Sequence, residues 1–291
     1  MKVEFIVNST SRKSHRLVSD IKSITGDIDV TVSLTQHAGH AWELAQTSKA
    51  DVVVSCGGDG TNNEVVNGLM EHEAYERPGF SFLSIGSGND FARSMPPRGL
   101  SELVHALKTN QSSLIDVLCV ESNNHSRYAL NMITAGLGAL VAQSVNQNKL
   151  PIPPFVSYYA ATAYWLLKFR AVEVEVLGKA PRLMSSFILA FGNGKFAGSG
   201  LGLTPQSSLD GPIGFTNIGA VSVIDFIRYL GPLKKGQKIN DSRIHYENVD
   251  SLSFRPTRQS ISIETDGEFF GQIQTKQEVR ISKEDAALRL F

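Results

Sequence analysis

Three short segments constrain this chain most: residues 3–7 (VEFIV), 51–55 (DVVVS) and 80–85 (FSFLSI) are apolar almost residue for residue. A strand with one wet face alternates apolar and polar positions. A run that is apolar throughout belongs to a sheet covered by helices on both faces. Helical periodicity fills the intervals, at 14–24, 38–48, 62–70 and 100–108, and a further strand fits 29–34. Repeated strand–helix units predict a doubly wound parallel sheet.

The rhythm changes near residue 115. Strand candidates follow at 115–121, 126–133, 172–177, 185–191, 214–218, 250–254, 260–264 and 278–281, and only 155–169 and 223–230 read strongly as helix. This half is predicted to be strand-rich, a sandwich or barrel. The fold class expected is therefore α/β, with two domains. Residues 1–120 are expected to form a doubly wound parallel-sheet domain. Residues 121–291 are expected to form a strand-rich, β-sandwich-like domain, whose last residues are able to return to the first.

Hydrophobic residues make up 42% of the 291, enough for a substantial core. Lys+Arg and Asp+Glu balance at 28 each, so bulk charge gives no reason to expect nucleic acid as a partner. Cys56 and Cys119 lie in apolar runs and are expected to be reduced and buried in a cytoplasmic protein. His37 and His40 fit an exposed helix start better than a metal site. The opening MKVEFIVNS is too short in apolar core for a signal peptide. The uncharged stretches 129–145 and 151–167 are short for a membrane span and are interrupted by small and polar residues. Burial is the expectation for both, and no transmembrane segment is predicted.

The chemistry concentrates where the first strands end. In open α/β sheets, ligands bind beyond the carboxyl ends of the strands. Three loops fall there: Asn8-Ser9-Thr10-Ser11-Arg12-Lys13, then Gly57-Gly58-Asp59-Gly60-Thr61-Asn62-Asn63-Glu64, then Gly86-Ser87-Gly88-Asn89-Asp90. Glycine lets a phosphate approach backbone amides, and a helix N-terminus adds the positive end of its dipole. Thr61, Thr10 and Ser87 offer hydroxyls, and Lys13 offers charge. There is no GxxxxGK[ST], and GGDGT is not a dinucleotide GxGxxG.

Here a family resemblance becomes specific. GGDGTNNEVVNGL resembles the signature of the diacylglycerol kinase catalytic domain, shared in outline with sphingosine kinases and NAD kinases. SIGSGNDFARS resembles the second signature of the lipid kinases. LNMITAGLGALVAQ, GNGKFAGSGLGLTPQSSLDGPIGF and ETDGEFFG continue the likeness in order, to about residue 271. It is nearest to the compact bacterial lipid kinase group. NAD kinases share GGDGT but not the GSGNDFAR and SSLDGPIGF segments.

The resemblance implies that Asn8 to Lys13, Thr35, Gly57 to Glu64, Ser87, Asn89 and Asp90 hold ATP. Ser9, Arg12 and Asn62 stand where the family has Pro, Gly and Leu. It implies a structural Mg²⁺ at the SSLDGP turn, on Asp210 and the carbonyls of Ser207 and Pro212, with Leu209 in place of a second acid. It implies Glu268 of Asp-Gly-Glu as the base, with Asp266 in reserve and Asp59 acting through metal or water. SISIETDGEFFGQIQ also reads as a hairpin turning at Asp266-Gly267. The aromatic-rich segment FVSYYAATAYWLL is expected to pack in the core, to line a lipid cavity or to lie at a membrane surface.

The function expected is an ATP- and Mg²⁺-dependent lipid kinase. It would phosphorylate a hydroxyl of diacylglycerol or a similar lipid, in the cytoplasm with peripheral membrane contact. A homodimer is compatible with this. The rivals are an NAD-kinase-like enzyme with a soluble acceptor and a non-catalytic nucleotide-binding regulator.

Overall fold

A computed structural model describes residues 1–86, 88–96, 99–147, 154–178 and 180–291. Ser87, expected in the nucleotide site, lies outside the described residues.

The first half runs β1 (Lys2–Val7), α1 (Ser14–Ile24), β2 (Asp29–Leu34), α2 (His40–Thr47), β3 (Val52–Gly57), α3 (Asp59–Met70), β4 (Gly79–Ser84), α4 (Asp90–Arg93) and α5 (Leu100–Thr109). Strands β2, β1, β3 and β4 pair in parallel in that order. The apolar runs are explained by two cores. Ile6 and Val53 face one way, against Ala41 and Ala45 of α2 and Val65, Val66 and Leu69 of α3. Phe5, Val7, Val52, Val54 and Cys56 face the other way, against Ile21 of α1 and Leu103 and Leu107 of α5. Nearly every side chain of β3 and β4 is thus buried whichever way it points, while the edge strand β2 stays partly exposed, and each fully buried large side chain contributes on the order of 2 kcal/mol.

The second half continues with β5 (Ser113–Ser122), β6 (His125–Ala129), β7 (Met132–Gly136), α6 (Leu137–Gln147), α7 (Pro154–Lys168), β8 (Val172–Leu177), β9 (Arg182–Ser186), β10 (Ile188–Gly192), β11 (Phe196–Ala197), β12 (Leu201–Gly202) and β13 (Ile213–Ile218). It ends with α8 (Val223–Lys234), β14 (Ile244–Val249), β15 (Leu252–Pro256), β16 (Ile261–Thr265), β17 (Glu268–Ile273) and β18 (Val279–Leu290). One antiparallel sheet has the order β14-β13-β10-β7-β16-β17. It packs against β5, β8, β15 and β18 through Phe191, Phe215, Phe254, Ile263, Val174 and Ile281, a sandwich core. Strand β18 joins the halves: it pairs antiparallel with β5 and β15, and in parallel with β4 at Leu290–Phe80.

Several boundaries differ from the periodicity. Helix α3 begins at Asp59 rather than 62, so the glycine-rich segment forms its first turn. The strand expected over 126–133 breaks after Ala129, because the amides of Leu130 and Asn131 turn to the Asp266 carboxylate. The stretch 137–147, not expected as a helix, is one, with Leu137, Val141 and Val145 recurring at helical spacing. The strand read at 278–281 extends over twelve residues, with a bulge between Glu284 and Leu288. Cys56 and Cys119 are buried and free.

Candidate active site

The three loops converge at the carboxyl edge of the parallel strands. Asn8 donates its Nδ2 to Thr61 Oγ1 at 3.0 Å and accepts from the Thr10 amide and hydroxyl. The Ser9 hydroxyl donates to the Thr35 carbonyl at 2.6 Å, and the Ser11 hydroxyl to the Ile85 carbonyl at 3.1 Å. The second and third loops touch backbone to backbone. A Cβ on Gly86 would lie 2.5 Å from Gly58 Cα, so Gly86 tolerates no side chain while this contact holds.

Asp59 locks that contact. Its carboxylate accepts the amides of Asp90 at 3.0 Å and Phe91 at 3.3 Å, the first turn of α4. Asp90 in turn accepts the Ser199 amide at 2.8 Å and pairs with Arg93. Burial raises both carboxyls. Asp90 is pushed up to about 6 by burial and then by the Asp59 charge beside it. Arg12 and Lys13 stand exposed at the rim.

The other expected nucleotide residues divide by side chain. Asn62 is buried and accepts the Ser55 hydroxyl at 2.7 Å. Glu64 caps α2, accepting the amides of Gly39 and Ala41. Asn63 reaches into the second half, donating to Tyr128 O and to Asp266 Oδ2 and accepting from Arg127. These three side chains are committed to protein partners; only their backbones remain at the loop.

The β16–β17 hairpin carries the acids from the second half. It turns at Asp266 and Gly267, with φ of 51° and 90°. Asp266 is not a solvated turn residue. Its two oxygens accept four donors: Asn63 Nδ2 and the amides of Leu130, Asn131 and Met132, at 2.7–3.0 Å. A carboxylate has about four lone-pair positions, so this one is saturated. Burial pushes its carboxyl up against those donors. Glu268, just past the turn, lies against α3: a Cβ on Gly60 would come 3.0 Å from its Oε1.

Glu264 was not singled out from the sequence, because within SISIE it reads as one more alternating position. It is buried, accepts the Thr134 hydroxyl at 2.6 Å and the Gly267 amide at 2.5 Å, and is raised to about 8 by burial. It therefore braces the turn that carries Glu268.

A cavity of about 200 Å³ runs from these acids into the second half. Asp59, Gly88 and Asp90 wall one end, beside Glu264 and Asp266. Leu137 and Val141 of α6, Leu166 of α7, Phe187, Leu201 and Phe226 of α8 make up much of the remaining wall, interspersed with Asn131, Thr134, Asn146, Thr162 and Ser199. The α7 segment thus both packs in the core and lines a cavity.

The SSLDGP turn lies apart, at the foot of β13. Asp210 is exposed and accepts the Ser208 hydroxyl at 2.5 Å, which holds its carboxyl below the usual range. Lys283 of β18 already brings a cation there: its Nζ donates to Gly211 O at 3.2 Å, to Asp116 at 2.6 Å and to Asp285 at 2.9 Å.

Comparison with known proteins agrees with this geometry. Residues 2–120 match the diacylglycerol kinase catalytic domain, and residues 131–288 match the YegS C-terminal NAD kinase beta sandwich-like domain. A diacylglycerol kinase of Bacillus subtilis (strain 168) is 26% identical over 242 residues, covering 81% of this chain and 77% of its own. The crystal structure of a diacylglycerol kinase from Bacillus anthracis str. Sterne has a TM-score of 0.72 at 20% identity, covering 99% of this chain and 96% of its own. An NAD kinase from Archaeoglobus fulgidus, solved with ATP, has a TM-score of 0.58 at 13% identity, covering 100% and 93%. At those identities the two structures establish the fold. With the second match alone spanning more than half of its residues, the chain belongs to the diacylglycerol kinase catalytic-domain family, in its bacterial YegS-like lipid kinase group.

Proposed function

We propose that this protein is an ATP-dependent kinase that phosphorylates a hydroxyl of diacylglycerol or a closely similar lipid. One observation carries the choice of acceptor. The cavity that Asp59, Gly88 and Asp90 of the phosphate-binding loops help to line has a wall made mostly of aliphatic and aromatic side chains, beside polar ones that include Asn131, Thr134, Thr162, Glu264 and Asp266. A polar dinucleotide acceptor finds few partners there, whereas an acyl chain leaves water for such a wall at about 25 cal/mol per Å².

In this reading the bare amides of Gly57 to Thr61 and the N-terminus of α3 cradle the triphosphate of MgATP, with Asn8, Thr10, Thr35 and Asn89 around it and Arg12 and Lys13 supplying charge. Phosphoryl transfer rests on positioning and charge neutralisation. The acceptor oxygen attacks the γ-phosphorus, the bond from that phosphorus to the β–γ bridging oxygen breaks, and ADP leaves. Glu268 takes the hydroxyl proton. Asp266, with both oxygens saturated, holds the hairpin in place. Asp59 and Asp90 carry the negative charge that a nucleotide-borne magnesium requires.

A resident divalent ion does not fit the Ser207–Asp210–Pro212 turn. The Lys283 ammonium donates to Gly211 O within that turn, and a dication beside it meets like charge. The mechanism takes no step through this turn.

The test is transfer of labelled phosphate from ATP to dispersed short-chain diacylglycerol and, separately, to NAD. Product is expected from the lipid alone, and Glu268→Gln is expected to lower kcat by about 10²-fold or more with little change in the KM for ATP. Label in NADP alone would overturn the lipid acceptor, and full turnover by Glu268→Gln would overturn the base.

A further inference from the structure

Several side chains in the cavity wall can donate a hydrogen bond, and most already do so to the protein. Thr134 donates to Glu264 at 2.6 Å and Thr162 to the Tyr158 carbonyl at 2.8 Å. Asn131 donates to the Phe196 carbonyl, Asn146 to the Gly267 carbonyl and the Tyr229 hydroxyl to Asp241. Tyr158 of α7 lines the same cavity, but its hydroxyl has no hydrogen-bond partner among the described residues.

The phenol stands where the polar end of the cavity gives way to the apolar wall. Gly198, at the tip of the β11–β12 hairpin, has φ 60°, and a Cβ there would lie 2.4 Å from Tyr158 Oη. The hydroxyl therefore rests against bare backbone. The next residue, Ser199, donates its amide to Asp90 at 2.8 Å, so the hairpin tip ties the phenol to the acidic end. In the other direction, Thr162 and Leu166 follow on the same face of α7, four and eight residues on. Burial, and then the charges of Glu264 and Asp90, push the phenol above its ordinary range, so it keeps its proton and remains a donor.

A donor enclosed without a partner is costly, and a ligand that brings an acceptor removes the cost. The acids at the polar end suit the reacting hydroxyl, which has a proton to give. In an acylglycerol the neighbouring carbon carries an ester, whose carbonyl oxygen is an acceptor and whose chain continues from there. A donor at the junction of polar and apolar wall matches that order of groups.

We propose that Tyr158 determines acceptor specificity, its hydroxyl donating a hydrogen bond to an ester carbonyl oxygen of the lipid whose acyl chain runs on past Thr162 and Leu166. The site thus selects for the ester as well as for the hydroxyl and the hydrocarbon. This inference rests on the lipid-kinase reading and deepens it.

The experiment measures kcat/KM for dispersed dioctanoylglycerol and for its dioctyl ether analogue, which keeps the hydroxyl and both chains but has no carbonyl. The wild type is expected to prefer the ester by about tenfold. Tyr158→Phe keeps the ring against Gly198 and removes only the hydroxyl. It is expected to lower kcat/KM for the ester by about tenfold, with the ether and the KM for ATP unchanged, so that it handles the two lipids alike. Equal efficiency of the wild type on ester and ether would overturn this inference and leave the lipid-kinase reading standing. Equal losses on both lipids in Tyr158→Phe would also overturn it, since the hydroxyl would then shape the cavity without contacting a carbonyl. Phosphorylation of neither lipid by the wild type would overturn the lipid-kinase reading, and this inference would fall with it.

Discussion

The Asp59 carboxylate receives the backbone amide of Asp90 at 3.0 Å, joining the first turn of α3 to the first turn of α4. One side chain thereby holds the two glycine-rich loops in register and stands beside a second carboxylate, in the wall of the cavity. Asp59→Asn keeps the size of the side chain and removes its charge. We expect kcat to fall by about 10²-fold or more, with a smaller loss of stability. Kinase rates and thermal melts on the same preparation separate the two effects, and a stable variant with normal kcat would remove Asp59 from the site.

Gly58 and Gly86 make the loops' closest approach. Gly86→Ala puts a methyl group 2.5 Å from Gly58 Cα, so the loops must part. The KM for ATP is expected to rise about tenfold or more, corresponding to about 1.4 kcal/mol of lost binding. Steady-state kinetics with varied ATP checks this, and an unchanged KM would mean the nucleotide does not lie across this junction.

Asp266→Asn turns an amide NH₂ toward donors that were facing oxygen. It is expected to cost about 2–4 kcal/mol of stability, since buried amides lose a charged acceptor. Urea unfolding measures it; a variant as stable as the wild type would show that the four hydrogen bonds do not hold the hairpin.

Glu264 predicts a pH dependence of stability. Its folded value, about 8, lies above the ordinary 4.5. The folded state therefore binds more protons between those values, and stability falls as pH rises. The contribution is fully present below about 4.5 and is lost as pH climbs through about 8. Asp90, raised to about 6, adds a loss of the same sign at lower pH. Glu264→Gln is expected to flatten the upper part of this slope, which approaches about 1.4 kcal/mol per pH unit for one proton. Denaturation curves from pH 5 to 9 decide it.

Lys283 predicts indifference to magnesium at the SSLDGP turn. Without nucleotide, MgCl₂ is expected to shift the melting of wild type and Asp210→Asn equally. Lys283→Met is expected to lose about 3 kcal/mol, because the largely buried Asp116 is left without its cation. Stabilisation by Mg²⁺ that Asp210→Asn abolishes would restore the turn as a metal site.

The parallel sheet was legible because its signals are local. The doubly apolar strands and the helices at 14–24 and 100–108 follow from spacings within a dozen residues. Helix α6 was harder to read, since Leu137, Val141 and Val145 mark its apolar face while no charged residue marks the opposite one. The break at Leu130 and Asn131 was hidden for another reason: its cause, Asp266, lies 136 and 135 positions away.

The sequence by itself determined the alternating fold and the glycine turns that leave amides bare, because backbone preference and periodicity act between near neighbours. Tertiary structure alone decided what each acid does. It saturated Asp266, set Glu268 against Gly60, made Glu64 a helix cap and brought Lys283 to the SSLDGP turn. A carboxylate's role depends on the donors and charges around it, and here most of those come from remote parts of the chain.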